Sequence, residues 1–133
     1  MHRPPTAQTS PPRARLALGG LTLVLLAASF AGCGGDSSDD RAAAGARVSQ
    51  QRGCVACHST SGGAGVGPTW KGLYGQPVGL DDGATVTADD AYLARSIREP
   101  QAQRVAGFAA TMPELGLDDA EVDAVIAYIR SLG

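Results

Sequence analysis

The sequence predicts a small all-α domain with unusually long loops. The last segment, from about residue 117, carries a complete helix-start signal followed by one apolar face. An alanine-rich stretch near residue 42 and a capped segment near residue 90 have helical patterning, while Gly and Pro punctuate most of what lies between. Such a domain has little to fill its centre, because aromatic residues make up only 5% of the 133. A chain this small and this poor in large side chains usually needs a staple or a cofactor.

The N-terminus is of a different kind. Residues 1–15 carry Arg3, Arg13 and Arg15 and no acidic residue, and an apolar run follows from Leu16 to Ala31. Sixteen residues is short for a membrane span, which needs about 20, but it suits the core of a signal peptide. The run ends in Phe30-Ala31-Gly32-Cys33. This resembles the lipobox of bacterial lipoproteins, in which the cysteine receives a diacylglycerol and becomes the first residue after cleavage. The lipobox usually opens with Leu, so Phe30 departs from the pattern; a simple cleaved signal and an uncleaved anchor are the alternatives. The expected organisation is a signal peptide over residues 1–32, a lipidated Cys33 with a flexible tether over 33–41, and one domain over 42–133. The tether reading rests on Gly34 to Asp40, which has no apolar side chain.

Along the domain, a first helix is expected from about Ala42 to Gly53, with Val48 inward. Gly62, Gly63, Gly65 and Gly67 predict an open loop up to Pro68, and Thr69 to Gly75 one short helical turn. Asp82-Gly83 between apolar residues signals a hairpin within Val78 to Val86. Thr87 and Asp90 stand at capping-box spacing, before a helix that Pro100 ends. For the last helix, Asp118 as N-cap and Glu121 three later form a second box, with Leu117 and Val122 as its hydrophobic staple. Val122, Val125, Ile126, Ile129 and Leu132 then share one helical face.

Charge narrows the partners. The full chain has 11 basic and 13 acidic residues; loss of three Arg with residues 1–32 leaves eight against 13, a net −5. An acidic surface argues against nucleic acid or anionic lipid as the main partner and permits docking on a basic protein face.

Cys54-Val55-Ala56-Cys57-His58 is the haem-attachment pattern C-x-x-C-H. Two thiols one helical turn apart can add to the two vinyl groups on one porphyrin edge, leaving the adjacent imidazole beneath the ring to bind iron. A zinc site needs two more ligands, which the exported chain lacks, and a redox dithiol normally sits beside a βαβ pattern, absent here. Export also matches the compartment where c-type haem is attached. After cleavage the chain keeps one histidine, His58, and one methionine, Met112. The candidate sixth ligands are therefore Met112, Lys71 or the terminal amine, which lipoprotein processing usually blocks. A thioether opposite imidazole favours Fe(II) and raises the potential.

The segment from about Ala42 to Leu132 resembles a class I cytochrome c domain. It is similar, more narrowly, to the cytochrome c domain fused to subunit II of some bacterial haem-copper oxidases. G-C-V-A-C-H-S-T, G-P-T-W-K-G-L-Y-G, D-D-A-Y-L-A-R-S-I-R-E-P, G-F-A-A-T-M-P and E-V-D-A-V-I-A-Y-I-R-S-L carry the likeness, in order. The resemblance implies helices packed around one covalent haem c. Cys54 and Cys57 would be its thioether attachments, His58 the proximal ligand and Met112 the distal one. It further implies that the Pro68 carbonyl accepts from His58 Nδ1, and that Gly45 and Tyr128 meet where the first and last helices cross. Ser49 stands where relatives usually carry an aromatic residue, which predicts a looser crossing. An oxidase subunit II also holds a dicopper centre, for which this chain has no spare cysteine; the domain reads as free-standing.

Trp70 and Tyr74 are candidate donors to haem propionates or plain pocket packing. Asp81, Asp82, Asp89 and Asp90 read as a docking patch or as caps and a solvated turn. Arg95, Arg98 and Arg104 read as propionate partners or surface charge. No nucleophile–base pair or phosphate loop is present, so the expectation is a single-electron carrier and not an enzyme. Its donor would be a quinol-oxidising complex and its acceptor a terminal oxidase or reductase, at the outer side of the membrane. A dedicated haem subunit of one respiratory enzyme is the alternative reading, and a gas-binding or peroxidatic haem protein a third.

Overall fold

The computed structural model describes residues 37–133 except residue 64; residues 1–32, read above as a signal peptide, and Cys33 lie outside the described residues. Among the described residues are three α-helices and one short hairpin: α1 Ser38–Gln51, β1 Pro77–Gly79, β2 Thr85–Thr87, α2 Asp90–Arg98 and α3 Asp119–Ser131. Among the described residues no helix is long and apolar enough to cross a membrane.

Helix α1 starts four residues earlier than alanine content suggests, inside the segment read as tether. Ser37 caps it by accepting from the Asp40 amide at 3.2 Å. Asp39 and Asp40 occupy its first turn, where carboxylates suit the helix dipole. The same Ser and Asp residues that look like a flexible linker are thus helix-start chemistry.

Helix α1 packs across α3 at its one buried glycine. A Cβ at Gly45 would run into the Ala124 carbonyl oxygen and stand 2.8 Å from Cβ of Tyr128, so only glycine lets the backbones approach this closely. Ser49, expected to loosen the crossing, is fully buried. Its hydroxyl donates to the Gly45 carbonyl at 2.7 Å, so the polar atom is satisfied and the crossing stays closed.

Helix α3 follows its sequence signal. Glu121 N donates to Asp118 Oδ1 at 2.8 Å, and Asp118 N to Glu121 Oε2 at 3.2 Å. Val122, Val125, Ile126 and Ile129 are buried, with Leu117, Tyr128 and Leu132 partly so. Each fully buried aliphatic side chain contributes roughly 1.5–3 kcal/mol of transfer free energy. The acidic first turn of α3 also collects an arginine from the end of each other helix. Arg52 reaches Glu121 at 2.6 Å, and Arg98 reaches Asp119 at 2.7 Å.

Two local expectations are corrected. The cap of α2 is Asp89, whose carboxylate accepts from Tyr92 N at 2.9 Å. Thr87 cannot cap because it is the last residue of β2, paired with Pro77. Thr69 to Gly75 forms successive turns in place of a helical turn, closed by Leu73 N on Trp70 O and Gln76 N on Leu73 O. Gly72 and Gly75 take φ of 68° and 78°, which interrupts any helix there.

The hairpin β1–β2 is antiparallel, with Val78 opposite Val86. It is more than a surface turn. Leu80 bridges to Val105, and Ala106 N donates to Gly79 O at 3.0 Å. These bonds pin the long segment between α2 and α3, which carries Met112.

Candidate functional site

The three residues of the attachment pattern sit in a 3₁₀ turn at Cys54–Ala56 and just after it. Gly53 makes the turn possible: its φ of 77° reverses the chain directly after α1, a conformation that costs a residue with a Cβ. Cys57 N and His58 N then donate to Cys54 O at 3.1 and 3.0 Å. Cys54, Cys57 and His58 are brought to the wall of a single cavity, which Pro68, Trp70 and Met112 also line.

His58 is held from two sides. Its Nδ1 lies 2.8 Å from the Pro68 carbonyl oxygen. A carbonyl only accepts, so Nδ1 carries the proton and the Nε2 lone pair is left free. Trp70 stacks on the ring, centroids 5.1 Å apart at 19°. Trp70 in turn meets Tyr128 edge-on at 6.3 Å, which links the imidazole to the α1–α3 crossing. Burial pushes the His58 pKa below its ordinary value, with the Pro68 bond opposing. The neutral ring is the form that binds a metal.

Burial raises the pKa of the Cys54 thiol, while the nearby Arg52 charge pulls it down. Met112 is half-buried on the cavity lining, and Gln101 Nε2 donates to its carbonyl at 3.0 Å. Lys71, the alternative ligand, is exposed, with its stem beside Gly62, and is not part of the cavity wall.

The cavity suits an apolar group attached through Cys54 and Cys57. Leu73, Leu93, Ile97, Phe108 and Leu115 supply its hydrophobic lining. Among the described residues, the one buried side-chain polar atom without a hydrogen-bond partner is Ser96 Oγ, and Ser96 lines this cavity. An unsatisfied group at that point is consistent with a wall built to face something other than protein.

Not every candidate converges here. Tyr74 lies outside the cavity lining: its hydroxyl accepts from Arg130 at 2.9 Å, and the Arg130 guanidinium sits 4.5 Å over its ring. Arg130 also pairs with Asp90 Oδ2 at 2.7 Å. Asp89 is a cap, Asp82 accepts from Ala84 N in the hairpin turn, and Asp81 pairs with Arg104 at 3.5 Å. Local structure therefore accounts for all four of these aspartates. Arg95 pairs with Glu99 and Arg98 with Asp119, both at the surface.

Sequence reasoning missed Gly67, Arg52 and Tyr92. A Cβ at Gly67 would stand 2.8 Å from His58 Cε1, so glycine lets the loop press against the imidazole edge. The Gly67-Pro68 pair, one residue removed from the buried Trp70, was the available signal. Arg52 and Tyr92 also line the cavity; Arg52 lies in no quoted segment, and Tyr92 was quoted only as part of the family likeness.

Comparisons with known proteins identify the family. Residues 42–133 match the family model described as Cytochrome c. The chain is 36% identical over 90 residues to cytochrome c2 iso-1 of Magnetospirillum molischianum, covering 59% of this chain and 89% of the relative. Among solved structures it is similar to cytochrome cH from Methylobacterium extorquens, at 33% identity and a TM-score of 0.52, over 68% of this chain and 97% of that one. The match runs the whole length of the domain that carries the attachment turn and its cavity. The chain therefore belongs to the cytochrome c family, whose members hold a covalent haem c and transfer electrons without transforming a substrate.

Proposed function

We propose that this cytochrome c is an exported, lipid-anchored carrier that relays single electrons from a quinol-oxidising complex to a terminal oxidase or similar reductase. One observation carries the assignment of its site: Cys54, Cys57, His58 and Met112 share one apolar cavity. On this reading the two cysteine sulfurs would make the thioethers, and His58 Nε2 and Met112 Sδ would hold the iron. When bound, the haem supplies a one-electron iron couple.

The residues of the chain do the rest. Pro68 fixes the imidazole tautomer, Trp70 fixes the ring plane, and the apolar wall would keep water from the bound group. A soft thioether prefers Fe(II), which suits a carrier that accepts electrons from quinol. Tyr74, committed to Arg130 and outside the cavity, is left out of the haem site. Anchoring at Cys33 and export are read from residues 16–33. The five-charge acidic excess after residue 32 supports docking on a basic partner face.

Stopped-flow reduction by a membrane-bound quinol-oxidising complex tests the carrier role. A mobile carrier gives bimolecular rates that fall as salt rises, since steering acts mainly on the on-rate. Salt-independent rates, together with stoichiometric co-purification through high-salt washing, would instead identify a dedicated subunit.

A further inference from the structure

Arg52 is the residue that both lines the haem cavity and holds the start of α3. Its Nε and one terminal nitrogen donate to Glu121 Oε1 at 3.0 and 2.6 Å. Its side chain is 42% exposed and that of Glu121 22%, so neither charge is fully screened by water. The acidic groups facing Arg52 are Glu121 and, more weakly, Asp118; its positive field is also felt at Cys54. Arg52, two residues before Cys54 and on the cavity wall, thus holds Glu121 against it, one cation and one anion close to neutral together.

We propose that the Arg52–Glu121 pair is a positioning element for electron transfer, setting the haem potential by keeping the field at the thioether edge compensated. This rests on the haem being attached at Cys54 and Cys57. Reduction lowers the charge at iron by one. An uncompensated carboxylate near the edge stabilises the ferric form and lowers the midpoint potential, whereas an uncompensated guanidinium does the reverse. Glu121 has a second task in the capping box, through its Oε2 on the Asp118 amide. Gln can serve that box as well as Glu, so charge and cap are separable by substitution.

The test is spectroelectrochemical titration of the haem-loaded protein and its variants, with thermal unfolding to check each fold. Glu121→Gln keeps the cap and should raise the midpoint potential. Arg52→Gln should lower it, Arg52→Lys should stay near the parent, and the Arg52→Gln/Glu121→Gln double variant should return towards it. The two single shifts should shrink together as ionic strength rises from 0.1 to 1 M, where the screening length falls from about 10 to about 3 Å. Shifts of the same sign in both single variants, shifts insensitive to salt, or no shift at all would overturn the proposal. Failure of the underlying assignment looks different: the parent protein itself would carry no haem resistant to acid-acetone extraction.

Discussion

The Pro68 carbonyl oxygen stands 2.8 Å from Nδ1 of His58, while the glycine before it, Gly67, presses on the edge of the same ring. One short loop therefore fixes both the proton position and the placement of the imidazole. Relaxing either changes what Nε2 can offer to a metal.

Gly67→Ala tests this relationship. The added methyl would meet His58 Cε1 and Nδ1 at 2.8 and 3.1 Å, so the ring or the loop must give way and the bond to Pro68 should weaken. Overpacking of this kind costs about 1–3 kcal/mol. In the haem-loaded parent the His58 Nδ1 proton should exchange slowly with solvent, and in the variant quickly; proton NMR in D₂O distinguishes the two.

Met112→Ala addresses the other side of the iron. The variant should lose the weak far-red sulfur-to-iron band, bind CO when reduced and show a lower midpoint potential, because a soft ligand that prefers Fe(II) has gone. A low-spin spectrum and an unchanged potential in the variant would assign the ligation to another residue.

Gly45→Ala probes the helix crossing. Helix propensity alone would favour Ala by about 1 kcal/mol. The Cβ, however, would collide with the Ala124 carbonyl and Cβ of Tyr128, which are backbone and rigid side chain. The clash should win, with a net loss of about 3 kcal/mol or more in urea unfolding. Because Tyr128 contacts Trp70, and Trp70 stacks on His58, the haem spectrum should be perturbed as well.

The Asp90–Arg130–Tyr74 cluster gives a pH dependence. The hydrogen bond from Arg130 holds the Asp90 carboxyl below its ordinary range; slight burial opposes it, and Tyr74 adds to the lowering. A depressed folded-state pKa means that the stabilisation is fully present above the unfolded value, about 4, and is lost as pH falls through the folded value. The pair is exposed, so screening limits it to about 1 kcal/mol or less. Asp90→Asn should lower stability by that amount at neutral pH, and the difference should vanish once pH has fallen below the folded-state value.

The proposed anchoring is separable from haem binding. Cys33→Ser should move the protein from the membrane fraction to the soluble exported fraction, with haem content unchanged. Persistent membrane association would mark residues 16–31 as an uncleaved span.

The parts of this protein most legible in its sequence are those governed by neighbours in the chain. The capping box at Asp118 and Glu121, the apolar face of α3 and the attachment turn all lie within a few residues, and the structure reproduces them. Composition misled where one residue type serves two purposes. Ser37, Asp39 and Asp40 look like a linker and begin a helix; Thr87 has a cap's spacing and ends a strand. Tyr74 was drawn towards the haem by its chemistry, but its hydroxyl goes to Arg130, 56 residues away. The Arg52–Glu121 pair spans 69 residues and has no local signature at all. Ser49 departs from the family pattern, yet a hydrogen bond one helical turn back absorbs the change.

An absorption spectrum of the exported protein, oxidised and reduced, with and without CO, tests the central claim most directly. Two thioethers at Cys54 and Cys57, with His58 and Met112 on the iron, predict a low-spin, six-coordinate haem c in both oxidation states. The ferrous spectrum should be unchanged by CO, because no coordination position is open. A high-spin ferrous spectrum that shifts on CO addition would contradict the account and identify a gas-binding or peroxidatic protein.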